Sequence, residues 1–301
     1  MVVATNSSLL KLIDIRSKNT HIIAGHKDIV LCVDYSYPYI VSAGKDKVIK
    51  LWRIDPAGLG DTRVVLVANY KGHSEDVSGV VMAPNNRMIA SVSEDKTIKL
   101  WAFPAGEKVE IKSSLYTVIA HDKSINSVRC NHDESLLASC SQDRTIKIWD
   151  AHKLALKMVL KGHRRSVWDT AFNKLEKILA SAAADGTVKI WNLTNGECVA
   201  TMGEGAALLR VQWLYHNQVV TGSLDGIVRI WDIRKLTSNS FDKHEGKIWS
   251  LDVSALDDKG IHERKHRQLH NSIGCQRFTH NSVEGPNITA TNGQATRHQQ
   301  R

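Results

Sequence analysis

The sequence predicts an all-β fold of the propeller type, because one short unit recurs five times along the chain of 301 residues. The units follow one another at spacings of 49, 48, 42 and 40 residues, and each ends in a tryptophan six residues after an aspartate. Between these endings, apolar and polar residues alternate with the period of two that is typical of strands joined by short hairpins. The closing segments read AGKDKVIKLW, VSEDKTIKLW, CSQDRTIKIW, AAADGTVKIW and GSLDGIVRIW, and they end at Trp52, Trp101, Trp149, Trp191 and Trp231.

A unit of roughly 40–45 residues with this ending resembles the WD repeat, in which each copy builds one four-stranded blade. Most units open with a histidine, followed by an alternating strand that we expect to lie innermost. A run rich in small residues comes next, and a tight turn at the aspartate leads into the strand that ends in tryptophan. Five complete units span about residues 25–233.

The two ends of the repeat array are incomplete. Near the N-terminus, SSLLKLIDI matches the closing strand alone, with Ile13 where tryptophan would stand. Near the other end, His244 opens a further unit whose closing Asp and Trp do not follow. The pattern predicts five complete blades flanked by partial first and last blades, a seven-blade-like ring whose closure is left open. We assign residues 1–258 to the propeller and 259–301 to a polar, basic tail that we expect to be poorly ordered.

A recurring set of polar residues resembles a catalytic relay, but its repetition predicts a structural role. A catalytic site occurs once, whereas a His, a Ser or Thr, an Asp and a Trp recur in unit after unit. Buried polar groups require hydrogen-bond partners, and these four side chains can satisfy one another. The unit that has Glu204 in place of the histidine lacks this network, so we expect it to be the loosest. The clearest copies are His73, Ser91, Asp95 and Trp101; His121, Ser139, Asp143 and Trp149; and His163, Ser181, Asp185 and Trp191.

We predict no catalytic, cofactor-binding or metal-binding residues. The tail contains His262-Glu263-Arg264-Lys265-His266, the H-E-x-x-H pattern of zinc proteases, but two cationic residues lie inside it and its flanks are polar. Such a motif requires a buried helix to place both histidines on one metal. An enzyme remains an alternative that would need this segment to be ordered and loaded with zinc.

Composition favours a soluble intracellular protein with acidic partners. The formal net charge is +9, and the five cysteines form no CxxC pair. The N-terminus lacks the layout of a secretory signal, and no apolar run is long enough to span a membrane. We therefore expect no membrane partner and no small-molecule substrate.

The last units predict a protein-binding surface. In WD propellers, the residues three and five places after the blade histidine, and the residue before the turn aspartate, face the narrow mouth of the ring. Exposed tryptophan beside arginine is the composition of interface hot spots. The alternative is that these rings are partly buried against neighbouring blades. The predicted apolar sector comprises Trp168, Leu209, Leu224 and Trp249, flanked by Arg164, Arg165 and Lys247.

The likeness extends beyond the generic repeat. The segments HDKSINSV, SQDRTIKIW, GHRRSVWDTAF, ADGTVKIWNL, SLDGIVRIWDI and HEGKIWSLDVSALDD, with VATNSSLLKL and GHKDIVLCVDYS, are similar to the second propeller of the U3 small-nucleolar-RNA-associated, transducin-beta-like WD family. The similarity covers about residues 3–258. It implies a nucleolar, non-enzymatic scaffold of the small-subunit processome that acts in pre-rRNA processing and ribosome biogenesis.

The resemblance also implies the partners. They would be other processome proteins, while contact with U3 small nucleolar RNA or pre-rRNA is left open as direct or indirect. The alternative is a WD adaptor that recruits a protein substrate to a ubiquitin ligase or a signalling complex.

Overall fold

The computed structural model describes residues 1–253, except 6, 15–18, 58–60, 84, 86–87, 105, 107–108, 204 and 243, and the backbone of residues 273–277. Side chains of 56–57 and 61–63 are likewise not described. Every regular element in this part of the chain is a β-strand, and no helix in it could cross a membrane. The all-β class predicted from the repeats is confirmed.

The strands form seven sheets, which we number as blades 1 to 7 in chain order. Blade 1 contains β1 (Val2–Ala4), β2 (Leu9–Ile13) and β3 (Thr20–Ala24). Blade 2 contains β4 (Val30–Ser36), β5 (Tyr39–Gly44), β6 (Val48–Ala57) and β7 (Asp61–Lys71). Blade 3 contains β8 (Val77–Met82), β9 (Met88–Ser93), β10 (Thr97–Ala102) and, after β11 (Val109–Ile111), β12 (Tyr116–Ile119).

The remaining blades follow the same order. Blade 4 contains β13 (Ile125–Cys130), β14 (Leu136–Ser141), β15 (Thr145–Asp150) and β16 (Leu156–Lys161). Blade 5 contains β17 (Val167–Phe172), β18 (Ile178–Ala183), β19 (Thr187–Asn192) and β20 (Cys198–Gly203). Blade 6 contains β21 (Leu208–Tyr215), β22 (Gln218–Ser223), β23 (Ile227–Asp232) and β24 (Thr237–Asp242), and blade 7 contains β25 (Ile248–Val253) and β26 (Ile273–Arg277).

The repeated tryptophan fixes the register of each complete blade. It lies on the third strand, opposite an apolar residue of the second strand, as Trp101 lies opposite Ile89 and Trp149 opposite Leu137. These tryptophans are almost fully buried, and the apolar side chains between successive sheets form the cores. First strands also pack on one another in order, from β4 through β8, β13, β17 and β21 to β25. The Asp therefore marks the turn, and in blades 3 to 6 the Trp marks the end of the third strand, as the spacing predicts; in blade 2 that strand continues to Ala57.

A β-bulge interrupts the first strand of every blade from 2 to 7. In each case one residue, five places after the blade histidine where that histidine exists, is skipped in the pairing with the neighbouring strand. Bulges re-aim a side chain away from the regular pleat. The six skipped residues are Leu31, Ser78, Asn126, Trp168, Leu209 and Trp249.

The turn after each aspartate uses a left-handed residue. Lys96 and Arg144 have φ of 68° and 73°, and Gly186 has φ of 76° at the matching position. Glycine is required in blade 5 for a second reason, because a Cβ at Gly186 would lie 2.8 Å from the carbonyl carbon of Gly205. The Asp-Lys, Asp-Arg and Asp-Gly pairs of the sequence therefore build one type of turn.

The first blade is more complete than the sequence pattern indicates. The sequence pattern matches only the closing strand there, but β1 and β3 flank β2 on its two sides, so the predicted partial blade has three strands. Blade 1 packs onto blade 2 through β1 and β4. Among the described strands, no extensive contact joins blade 7 to blade 1, and the sequence pattern likewise leaves closure of the ring open.

The tail assigned to 259–301 lies mostly outside the described residues, and its predicted disorder stays a prediction. Five of its residues are the exception, since the backbone of β26 pairs antiparallel with β25 over Ile248–Val253. Blade 7 thus has two strands in the described part of the chain, and its second strand comes from the tail.

One buried carboxylate links three blades. Asp169, on β17, accepts hydrogen bonds from Ser127 and Arg129 on β13 and from the backbone N–H of Val211 on β21. Its side chain is fully buried, and the charge of Asp169 raises the pKa of Arg129 above its ordinary value despite the opposing effect of burial. The paired guanidinium and the hydroxyl satisfy a charge that would otherwise be very costly to bury.

Candidate functional site

The repeated polar residues form one hydrogen-bonded chain in each of four blades. In blade 5, Nδ1 of His163 lies 3.0 Å from Oδ2 of Asp185, and its Nε2 lies 2.7 Å from Oγ of Ser181. The indole N–H of Trp191 donates to the same Oγ at 2.9 Å. A neutral ring that donates from Nδ1 accepts the serine proton at Nε2, and the serine oxygen then accepts from tryptophan.

The same geometry recurs with little variation. The Nδ1–carboxylate distance is 2.8 Å for His26, His73 and His121, and each ring reaches its serine at 2.7–2.8 Å. All four histidines are buried. The four chains join His26, Asp46, Ser42 and Trp52; His73, Asp95, Ser91 and Trp101; His121, Asp143, Ser139 and Trp149; and His163, Asp185, Ser181 and Trp191.

The turn carboxylates are held in the charged form. Burial acts to raise the pKa of Asp95, Asp143 and Asp185, but hydrogen bonds from the histidine and from a threonine hydroxyl outweigh it and hold each pKa well below its ordinary value. Each carboxylate also accepts from the backbone N–H two residues ahead. The aspartate therefore closes the turn and anchors the histidine at once.

Blade 6 replaces the histidine with an arginine from its own third strand. Nη2 of Arg229 donates to Oδ2 of Asp225 at 3.0 Å, and its Nη1 donates to Ser223 at 3.0 Å. The Trp231 indole still donates to Thr221 at 2.9 Å. Glu204 lies outside the described residues. The histidine network is absent from this blade, as the sequence predicts, but Arg229 supplies a different partner to the turn aspartate. That this blade is the loosest stays a prediction.

The predicted binding sector lies at the end of the ring that carries the histidine loops, which we call the histidine end. Trp168 and Trp249 are half-buried on the bulges of β17 and β25, and β21 lies between these two strands. The Lys247 ammonium lies 5.9 Å from the centre of the Trp249 ring, within range of a cation–π interaction. Arg164 and Arg165 are exposed on the loop before β17.

The two leucines of the sector differ in their exposure to solvent. Leu224, in the turn of blade 6, is 41% exposed. Leu209 is only 2% exposed, so the expectation that it presents an apolar surface is wrong. Although Leu209 occupies the bulge of β21, its side chain is covered by neighbouring residues. The exposed sector therefore consists of Trp168, Leu224 and Trp249 with the three cations.

Comparison with known proteins agrees with this architecture. The family model described as WD domain, G-beta repeat matches residues 17–53, 64–102, 112–150, 155–192 and 196–232, together more than half of the chain. The chain belongs to the WD40 repeat family. Each match ends one residue after a repeat tryptophan, so it contains the outer strand of one blade and the first three strands of the next, and the five matches end in blades 2 to 6.

Two groups of relatives are similar to parts of this chain. Over 182 residues the chain is 34% identical to Transducin beta-like protein 3 of Rattus norvegicus, a stretch that covers 56% of this chain and 22% of the relative. The Homo sapiens protein of that name is 34% identical over 180 residues, with the same coverage. Nuclear distribution protein PAC1 of Candida albicans is 33% identical over 103 residues, covering 31% of this chain and 21% of the relative. The matched stretch thus spans about a fifth of these relatives.

Two of the cysteines in the described part of the chain are poor nucleophiles. Burial raises the pKa of the Cys32 and Cys130 thiols to about 12, which keeps them protonated and poorly nucleophilic. No group of three or more His, Cys, Asp or Glu residues suited to a metal occurs among the described residues. The H-E-x-x-H segment at 262–266 lies outside them.

Sequence reasoning missed Arg229 and the shared carboxylate of Asp169. The other complete WD40 blades have lysine two places before the tryptophan, so arginine in blade 6 was the available signal. Asp169 had no such signal, because its partners lie about 40 residues away on two different blades.

Proposed function

We propose that this chain is a non-enzymatic WD-repeat scaffold of the U3 small nucleolar ribonucleoprotein, or small-subunit processome, and acts in pre-rRNA processing in the nucleolus. The observation that carries the proposal is the similarity to Transducin beta-like protein 3 across 56% of the chain. The processome role comes from the family resemblance of the repeat segments.

The hydrogen-bonded chains support a scaffold in place of an enzyme. A catalytic relay needs a reactive atom within reach of a substrate. In four blades the Ser Oγ is saturated by His and Trp, and the serine is buried. The same geometry recurs in each of these blades, which is expected for a structural element.

The histidine end of blades 5 to 7 is the proposed protein-binding surface. In blades 3 and 4 the bulge residues bind the next blade, since Ser78 donates to the carbonyl of Ile125 and Asn126 to that of Val167. Trp168 and Trp249 occupy the matching bulges, and among the described residues neither indole bonds to a neighbouring first strand. Their rings, together with the exposed Leu224, suit an apolar anchor.

The cations of this surface indicate the charge of the residues that would flank the partner's apolar anchor. Arg164, Arg165 and Lys247 are exposed and would attract acidic residues that flank the anchor. A phosphate backbone would use the charges but gain little from the apolar side chains. We therefore propose a processome protein as the direct partner here, and the net charge of +9 leaves contact with RNA open.

Affinity purification of the tagged chain from cells tests the proposal. We expect U3 small nucleolar RNA and processome proteins to be recovered with the wild-type chain. Recovery of ubiquitin-ligase or signalling subunits without the RNA would favour the adaptor alternative and overturn the processome role. An unrelated WD40 propeller expressed at the same level is the control for non-specific recovery.

A further inference from the structure

The outer edge of blade 2 carries a fifth strand that comes from blade 3. Strand β11 leaves the connection between β10 and β12 and pairs parallel with β7, so that Val109, Glu110 and Ile111 lie opposite Ala68, Asn69 and Tyr70. An edge strand exposes unpaired N–H and C=O groups, and an added strand satisfies them. Blade 2 therefore shows which chemistry the outer edge of these blades accepts.

A charge pair and an apolar contact hold β11 in place. The Lys71 ammonium lies 3.1 Å from Oε1 of Glu110, and this hydrogen bond lowers the pKa of the Glu110 carboxyl. Ile111 packs against the core cluster that contains Tyr70 and Trp101. The added strand thus follows an apolar–acidic–apolar pattern, with its acid on the lysine that ends β7.

Strand β16 of blade 4 repeats the features of β7 that receive this strand. Leu160 lies opposite Ile146, and Ile146 comes three residues before Trp149. In blade 2, Tyr70 lies opposite Ile49, which comes three residues before Trp52. Lys161 therefore occupies the position of Lys71. Leu160 and Trp191 share one core cluster, as Tyr70 and Trp101 do.

The lysine at this position distinguishes blade 4 from the other open blades. The matching residues on the remaining outer strands are not cationic: Ala24 on β3, Ile119 on β12, Gly203 on β20 and Asp242 on β24. Among the outer strands that the structure describes, only β7 and β16 combine the buried apolar residue with a lysine.

The edge of β16 is open in the described part of the chain. It is the last strand of its sheet, and no carboxylate in that part of the chain pairs with Lys161, which is exposed. Leu156 and Val159 on the same strand are 50% and 37% exposed. The connection that could cover this edge, residues 193–197 of blade 5, has five residues, whereas residues 103–115 of blade 3 make the longer excursion that includes β11.

We propose that the outer edge of β16 binds an extended segment of a partner protein, which adds parallel to β16 with an apolar–acidic–apolar sequence and places its acidic residue on Lys161. The segment would lie opposite Met158, Val159 and Leu160, in the way β11 lies opposite Ala68, Asn69 and Tyr70. This surface is separate from the histidine end, and the inference stands whether or not the processome role holds.

The chain's own strand sequence supplies the probe. A peptide of residues 106–113, which contains Val109, Glu110 and Ile111, is titrated into the isotope-labelled full chain, and amide chemical shifts are followed by NMR. We expect shifts along β16, centred on Val159 to Lys161, at a peptide concentration on the order of 1 mM or below. Shifts confined to β7 and β11 would mean exchange with the internal strand, and they would overturn the proposal, as would no shift at all.

Two exposed lysines on the same strand give a matched pair of variants. Lys161→Glu should weaken peptide binding by about fivefold or more, because attraction becomes repulsion. Lys157→Glu, whose lysine pairs with Asp150, should change it by less than about twofold. A peptide with lysine in place of Glu110 should bind wild type more weakly and Lys161→Glu more tightly. Equal losses of peptide affinity in the two variants, or no recovery of affinity with the reversed peptide, would show that the charge at position 161 does not determine binding.

Discussion

Arg229 and Asp225 form an ion pair in blade 6 at the turn where blades 2 to 5 use histidine. The guanidinium is almost fully buried and reaches both the aspartate and Ser223. Because a planar guanidinium can satisfy two acceptors at once, the substitution of arginine for lysine on β23 compensates for the lost histidine in the same blade.

We predict that Arg229→Lys destabilises the protein, although lysine is the residue that other blades have at this position. The lysine ammonium is a single charged atom on a shorter side chain, so it should lose at least one of the hydrogen bonds to Asp225 and Ser223. The loss should lower the free energy of unfolding by about 1–3 kcal/mol. Urea unfolding measures the change. Lys189→Arg in blade 5, where the histidine is present, is the control and should be nearly neutral; equal effects of the two changes would contradict the compensation.

We predict that His163→Ala lowers the free energy of unfolding by about 1–3 kcal/mol, because the change leaves Ser181 and Asp185 without their partner. Thermal and urea unfolding would detect it. The exposed His152 provides the control, and His152→Ala should leave stability unchanged. A His163→Ala protein that melts normally but no longer supports function would argue for a functional role of the histidine.

The lowered pKa of the turn carboxylates predicts sensitivity to acid. In the folded chain Asp95, Asp143 and Asp185 stay charged below the ordinary value of 3.8, whereas the unfolded chain takes up protons near that value. Their contribution is therefore complete above the ordinary pKa and is lost as the pH falls below it. Urea unfolding between about pH 5 and about pH 3 should show declining stability, with a shallower slope for Asp185→Asn. An unchanged slope in that variant would refute the assignment.

We predict that Trp168→Ala with Trp249→Ala leaves the fold intact and weakens recruitment of a protein partner by more than about 2 kcal/mol, the scale of an interface hot spot. Quantitative pull-down of the processome proteins recovered with wild type gives the measurement. Leu175→Ala is the control, since Leu175 is 72% exposed in the turn between β17 and β18.

Charge reversal at Arg164 and Arg165 tests the electrostatic contribution to partner binding separately from the packing of the two tryptophans. It should mainly slow association and increase its dependence on salt. Full recovery of the same proteins by the double tryptophan variant would place the binding surface elsewhere on the ring.

We predict that the tail contributes only through β26. Deletion of residues 278–301 should leave the melting temperature nearly unchanged, because the only described strand of the tail ends at Arg277. Deletion of 260–301 removes the pairing with β25 and should loosen blade 7, which amide exchange along Ile248–Val253 would reveal. Unfolding of the whole ring after either deletion would contradict this division.

The repeat determines which strands and turns of this protein can be predicted from its sequence. Trp101 and Asp95 determine a strand and a turn through local spacing, so their elements were predictable. The strand at Val109–Ile111 was not, because three residues gain strand structure only from the edge of β7. The position rule placed both Trp168 and Leu209 on the histidine end, but only the surrounding packing decides that the leucine is covered.

The carboxylate of Asp169 has a consequence for how the ring comes apart. In a repeat array each unit normally feels only its two neighbours, so the opening of one blade spreads step by step. Asp169 couples blades 4 and 6 through blade 5, since β13 and β21 both donate to it. Blades 4 to 6 should therefore open as one cooperative unit, and their slowest amides should exchange at a common rate while blades 1 and 7 fray independently.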